Sequence, residues 1–153
     1  MTGTISDGRQ SERALAIRRG AARRLAHEGW APLYEWVLPS GRRADIAALG
    51  PRGEILIVEV KSSPEDFLSD RKWPDYLAFC DRFSFATGPH VPAELFPEDH
   101  GLIIADSFGA ETLRPPSETA LAPARRKSLM VSLARTALTR IHAGDDPGAY
   151  LRL

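Results

Sequence analysis

Arg43-Ala44-Asp45-Ile46-Ala47-Ala48-Leu49, Gly50-Pro51-Arg52-Gly53 and Glu54-Ile55-Leu56-Ile57-Val58-Glu59-Val60-Lys61 form the stretch that decides how this chain folds. The middle four residues are a strong turn signal, so the flanking runs read as an antiparallel hairpin. Ile55-Leu56-Ile57-Val58 is apolar on both faces, which is the pattern of a strand covered on both sides in the middle of a sheet. With the turn centred on Arg52, Asp45 falls opposite Glu59, and Arg43 falls opposite Lys61. Directly opposed residues bring their Cβ atoms to about 4.5–5.5 Å. Glu59 and Lys61 share a face because strand side chains alternate. A slip of one residue would separate the two carboxylates, so the reading depends on the loop length.

Ionised groups rarely sit on an otherwise apolar central strand. Opposed carboxylates repel, and unpaired burial costs several kcal/mol. A divalent cation such as Mg2+ resolves the conflict, because it prefers carboxylate oxygens and keeps several waters. Lys61 beside it would hold water or stabilise charge on a phosphate. The alternative is a set of cross-strand salt bridges, Asp45 with Arg43 or Lys61 and Glu59 with Lys61.

Outward from the hairpin, the pattern predicts a helix over Ser11–Glu28, capped by Ser11 and followed by Gly29. Ala14, Leu15, Ala21, Ala22, Leu25 and Ala26 form its apolar stripe, and Gly20 weakens its middle. A first strand spans Leu33–Leu38. Ser63-Pro64-Glu65-Asp66 reads as a capping box opening a helix, which Pro74 breaks and which runs on to about Cys80. Strands follow over Arg82–Ala86, Gly101–Ala105 and Ala110–Leu113, with a short helical turn between Pro89 and His100. A last helix covers Pro123–His142. The order implies an α/β (α+β) fold, a mixed sheet flanked by helices. Residues 11–143 read as one domain between a tail over 1–10 and a second tail over 144–153.

The chain has 153 residues and no net charge, but its charges are segregated. Arg9, Arg13, Arg18, Arg19, Arg23 and Arg24 crowd the first segment. Arg125, Arg126, Lys127, Arg135 and Arg140 mark the last, with no acid between them. Such basic stripes suit a polyanionic partner, though they also suit solvated helix faces. A single cysteine, Cys80, excludes an internal disulfide. No apolar run is long enough to cross a bilayer, and Met1–Gln10 lacks the apolar core of a secretory signal, so the expected location is the cytoplasm. Trp30, Trp36 and Trp73 read as core or interface anchors. The four histidines show no pairing pattern, and Ser62 and Ser63 have no nearby base that would make either a nucleophile.

Asp45 followed by Glu59-Val60-Lys61 resembles the PD-(D/E)XK nuclease superfamily, which carries an Asp on one strand and Glu-x-Lys on the next. Gly41-Arg42-Arg43-Ala44-Asp45, Val58-Glu59-Val60-Lys61-Ser62-Ser63, Asp66-Phe67, Asp70, Lys72-Trp73, Tyr76 and Cys80-Asp81 closely resemble the MmcB-like DNA repair proteins. The likeness continues through Gly101–Asp106 and Ala124-Arg125-Arg126-Lys127. It implies a restriction-endonuclease-like core, a DNA substrate and a role in DNA damage repair. It implies Mg2+ or Mn2+ held by Asp45 and Glu59, with the Val60 carbonyl as a further ligand and Lys61 as the catalytic lysine. A further catalytic acid from earlier in the chain is assigned to Glu35, with Glu28 as the alternative. Some relatives carry Gln-x-x-x-Tyr after the lysine, a spacing that Lys72 and Tyr76 keep with lysine in place of glutamine. Both would touch a phosphate if a helix put them on one face. Asp66 and Asp70 are further acids within reach of the site, although helix capping explains Asp66 equally well. Arg43, Arg19, Arg23, Arg125 and Arg126 are the remaining DNA-contacting candidates. A metal-dependent nuclease is the leading function. The alternatives are a catalytically weak nuclease-fold DNA-binding module and an interaction subunit, with a homodimer or other repair proteins as partners.

Overall fold

The computed structural model describes residues 11–150. The expected tail over 1–10 and the last three residues lie outside the described part.

Six strands stand in one sheet in their sequence order: β1 (Ala31–Val37), β2 (Arg43–Leu49), β3 (Ile55–Lys61), β4 (Arg82–Thr87), β5 (Gly101–Ala105) and β6 (Ala110–Arg114). The first three are antiparallel, β3–β4–β5 are parallel, and β6 returns antiparallel to β5. The fold is therefore α+β, a mixed sheet flanked by helices. A parallel pair needs a crossover of a dozen or more residues. Between β3 and β4 it is made by α2 (Pro64–Ser69) and a 3-10 helix over Trp73–Phe79. Every residue of β3 is buried, as its two-sided apolar run requires.

The register of the decisive hairpin is the one the turn dictates: Leu49 faces Ile55 and Ile46 faces Val58. Gly53 takes φ of +90° and closes the turn through its amide to the Gly50 carbonyl at 3.1 Å.

Helix α1 (Glu12–His27) lies across one face of the sheet. The Ser11 hydroxyl accepts from the Ala14 amide at 3.1 Å and caps it. Its buried stripe is Ile17, Gly20, Ala21, Ala22 and Leu25, against Ile46, Val58, Val60 and Ile103. Leu15, expected in that stripe, is exposed, and Ile17 takes its place. Gly20 weakens helix propensity for a reason the sequence did not reveal. A Cβ there would lie 2.2 Å from the Asp106 carbonyl oxygen, so only glycine lets α1 rest on the β5–β6 turn.

The opposite face carries an aromatic layer of Trp36, Tyr76, Phe83, Phe85 and Phe96, with Trp73 stacked on Phe83 and Phe67 edge-on to Phe85 at its rim. Helix α3 (Pro123–Asp145) closes this layer through Leu129 and Leu133. It runs past Gly144, where a loose tail was expected, and a 3-10 turn over Pro147–Tyr150 follows.

One irregularity crosses both β1 and β2. Leu33 packs with the aromatic layer and Tyr34 with the α1 layer, yet Trp36 and Leu38 return to the aromatic layer. In β2, Ala44 joins the aromatic layer, Ile46 and Ala48 the α1 layer, and Ala47 the aromatic layer again. Side-chain alternation therefore changes phase at Glu35 and Asp45, which lie opposite each other between the pairs Tyr34–Ile46 and Trp36–Ala44. Glu35 has φ of +54°, a left-handed conformation unusual for a residue with a Cβ.

Candidate functional site at the fork of two central strands

The paired register of β2 and β3 runs as far as Ile46–Val58, while β3 stays paired with β4 to its end at Lys61–Thr87. At this fork, side chains take over backbone groups. The Asp45 amide donates to Glu59 Oε1 at 3.0 Å, and the Val60 amide donates to Asp45 Oδ2 at 2.8 Å. The hairpin thus brings Asp45 and Glu59 together in the predicted register, with Lys61 two residues on. Glu59 and Lys61 are each 5% exposed.

Burial, then the charge of Asp45, pushes the Glu59 carboxyl up to about 8. Burial also raises Asp45, against the Val60 amide and the Lys61 charge. Two acids that both resist ionisation within one cluster are a conflict the fold tolerates, and such conflicts concentrate at functional sites.

Lys61 Nζ donates to Asp70 Oδ2 at 2.8 Å and lies 4.0 Å from Asp66 Oδ1. Asp70 is only partly buried, and despite that burial the Lys61 and Lys72 donors hold its carboxyl below the usual range. Asp66 has two duties. Its amide donates to Ser63 Oγ at 3.1 Å in the predicted cap, and its carboxylate accepts from the Ser62 amide at 3.1 Å. Both acids therefore belong to the cluster.

The spacing argument for Lys72 and Tyr76 does not survive. Tyr76 lies on a 3-10 helix, not an α-helix, and Lys72 is its N-cap, so the four-residue spacing does not put them on one face. Lys72 is exposed at the cap. Tyr76 is 2% exposed, its hydroxyl donates to the Arg43 carbonyl at 2.9 Å, and burial with the Glu59 charge pushes it up to about 12. Pro74, second in this helix, fits the break expected there.

Arg43 is exposed, and its neighbour Arg42 occupies the site instead. The Arg42 guanidinium lies 4.6 Å from the Tyr76 ring centroid and 3.6 Å from Asp70 Oδ1. The phase change at Asp45 explains the exchange, because beyond it Arg42 and Ala44 face the aromatic layer. Regular alternation from Asp45 would select Arg43.

Glu35 faces Asp45 across β1–β2, but its carboxylate lies 3.7 Å from Arg18, whose charge also reaches Asp45. The Arg18 guanidinium covers the Tyr34 ring at 4.1 Å. Nothing in the sequence singled Arg18 out. Glu28 sits at the other end of the sheet, bonded to Arg24 at 2.7 Å and Thr112 at 3.3 Å, and lines a cleft with Leu56 and Arg82. It is not part of the cluster. Among the described residues, no three or more His, Cys, Asp or Glu side chains are grouped to hold a metal ion. Asp45 and Glu59 are a pair rather than part of a three-acid set.

The basic candidates divide. Arg19 and Arg23 are exposed on α1. Arg125 is exposed and donates to the Ala78 carbonyl at 3.1 Å. Arg126 instead grips Asp81, a fully buried carboxylate, through both terminal nitrogens. Asp81 also accepts from the Ile55 and Leu121 amides at 2.8 and 2.9 Å. That network ties α3 to the sheet, so the Arg126 charge is spent inside the fold. Cys80 is buried, and its thiol is pushed up to about 12 by burial and by Asp81, as an inert core thiol should be.

Fold and cluster together define an α+β protein whose sheet carries a buried two-carboxylate site beside a lysine at a strand fork. The chain belongs to the MmcB-like DNA repair protein family, whose model matches residues 1–148. A solved structure of a protein of unknown function from Silicibacter pomeroyi is 42% identical, with a TM-score of 0.87 over 94% of this chain and 98% of that one. No curated protein matches. Among the described residues, no helix is long and apolar enough to cross a membrane.

Proposed function

We propose that this DNA repair family member is a metal-dependent nuclease of the PD-(D/E)XK type that hydrolyses phosphodiester bonds in DNA in the cytoplasm. The observation that carries this reading is the fork itself: the Asp45 amide donates to the Glu59 carboxylate, the Val60 amide donates to the Asp45 carboxylate, both acids resist ionisation through burial, and Lys61 follows two residues on. Mg2+ commonly binds through one or two protein carboxylates and completes its shell with water and substrate phosphate, so a pair of acids suits it or Mn2+. Asp45 and Glu59 would hold the cation, with the Val60 carbonyl as a further oxygen. When bound, it would supply positive charge at the phosphate and a more acidic water.

The chain's own residues do the rest. Asp70 fixes the Lys61 ammonium in the absence of substrate, within electrostatic reach of Asp45 and Glu59. Arg42 presents a guanidinium beside Asp70 for a phosphate oxygen. Arg19, Arg23 and Arg125 would contact the DNA backbone, with affinity that falls as salt rises.

A second reading has one observation in its favour: among the described residues no third acid is grouped with the pair to hold a metal ion, since Glu35 is turned to Arg18 and Asp66 and Asp70 to Lys61. In that reading the fold binds DNA without efficient cleavage. Single-stranded, duplex, branched and damaged DNA incubated with Mg2+ or Mn2+, with Lys61→Ala as control, separates the two. Cleavage lost in the variant and in chelator supports the nuclease. Salt-dependent binding without cleavage of any substrate supports the binding module.

A further inference from the structure

Helix α3 has 23 residues, yet only Leu129 and Leu133 are buried. Its last three turns are held to the sheet chiefly by Arg140, which donates to the Tyr34 carbonyl and to the Glu35 carbonyl at 2.6 Å. At 100° per residue, Lys127, Val131, Ala134, Leu138, Ile141 and Asp145 form a single stripe on the side facing away from Leu129 and Leu133. Val131 is 51% exposed, Leu138 65% and Ile141 64%. The stripe spans about 27 Å of helix. Isolated exposed apolar residues need no explanation, but a contiguous row along an otherwise under-packed helix marks an interface. Ala134 lines a shallow groove on either side of it.

The order of residue types along the stripe names the occupant. Its spacing reads the same in both directions about Thr136. An antiparallel second copy would therefore set Val131 against Ile141, Ala134 against Leu138, and Lys127 against Asp145. The apolar centre meets apolar residues, and at both ends the basic residue meets the acidic one. A parallel copy would set Lys127 against Lys127 and Asp145 against Asp145. The small Ala134 at the centre allows close approach of two helices. A two-fold interface must be self-complementary, and this stripe is.

We propose that the chain forms a homodimer through antiparallel packing of α3 on its copy, with Ala134–Leu138 pairs at its centre, Val131–Ile141 pairs flanking them and Lys127–Asp145 pairs at its ends. The inference is independent of the nuclease reading. Sedimentation equilibrium of the full chain should give twice the 16.8 kDa monomer mass at micromolar concentration. Leu138→Asp should return it to monomer with an unchanged far-ultraviolet circular dichroism spectrum, since Leu138 supports no core. Lys127→Asp and Asp145→Lys should each weaken association at least tenfold, and the double variant should restore it. A monomeric wild-type chain, a dimer indifferent to Leu138→Asp, or a charge exchange that restores nothing overturns the proposal. So does a monomer in which Leu138→Asp lowers DNA affinity, which would make the stripe a nucleic-acid surface.

Discussion

The Asp45 amide donates to the Glu59 carboxylate at 3.0 Å, and the Asp45 carboxylate accepts from the residue that follows Glu59 at 2.8 Å. Each acid thus completes the other's strand where the ladder stops. The pair has a structural role in the fold, and the metal-holding role proposed for it should separate from that one under substitution.

Glu59→Gln keeps an oxygen for the Asp45 amide and removes an acid that, pushed up to about 8, folding must protonate at neutral pH beside Asp45. Measured in chelator at neutral pH, it should raise stability by about 1 kcal/mol. Mg2+ or Mn2+ should raise the melting temperature of the wild type and leave that of the variant unmoved. A variant less stable than wild type in chelator would mean that the carboxyl itself serves the fold.

Lys61 is almost fully enclosed, Asp70 is partly buried, and the two are 2.8 Å apart. Removing one partner strands the other, so Asp70→Ala should cost about 3 kcal/mol. Lys61→Met with Asp70→Leu should recover most of that loss in urea denaturation, because neither charge remains. Cleavage should be absent from both Lys61 variants whatever their stability.

Asp81 and Arg126 set the acid limit. Burial alone would raise Asp81, but Arg126 and two backbone amides hold it below the usual carboxylate range. A depressed acid contributes stability that is full above its unfolded value, about 3.9, and lost as pH falls through its folded value. Arg126→Met should cost about 3 kcal/mol at neutral pH and move the acid-unfolding midpoint upward. Its DNA affinity, measured where it is folded, should match wild type. Arg125→Ala should do the reverse, weakening DNA binding with stability unchanged to within about 0.5 kcal/mol.

Gly20→Ala inverts the ordinary rule for helices. Alanine gains up to about 1 kcal/mol in an exposed helix interior. Here its Cβ would meet two backbone carbonyls, at 2.2 and 2.8 Å, which cannot move cheaply. The substitution should destabilise by at least about 2 kcal/mol in thermal or urea unfolding. A neutral result would show that α1 can lift off the β5–β6 turn.

The hairpin was legible because two independent signals agreed on it. The Gly50–Gly53 turn set the register, and the apolar run of β3 set its central place. The Ser63 cap was legible for the same reason, a local hydrogen bond written in adjacent residues. What escaped depends on backbone shape. No residue type announces a left-handed Glu35, so the phase change at Asp45 was invisible and Arg43 was favoured over Arg42. Nor does sequence distinguish a 3-10 helix from an α-helix over Trp73–Phe79, which is why Lys72 and Tyr76 were paired. Arg18 and the Arg126–Asp81 grip are contacts across long sequence separations, with no local signature.

The phase change has a last consequence. Because Glu35 and Asp45 hand one strand pair from the α1 layer to the aromatic layer, the two halves of the core share a seam. Neither layer can open without releasing it. The amides of Asp45 and Val60 should then exchange with solvent deuterium only as fast as the whole molecule unfolds, although they sit beside an ionisable cluster. A site placed on such a seam holds its geometry for as long as the protein is folded at all.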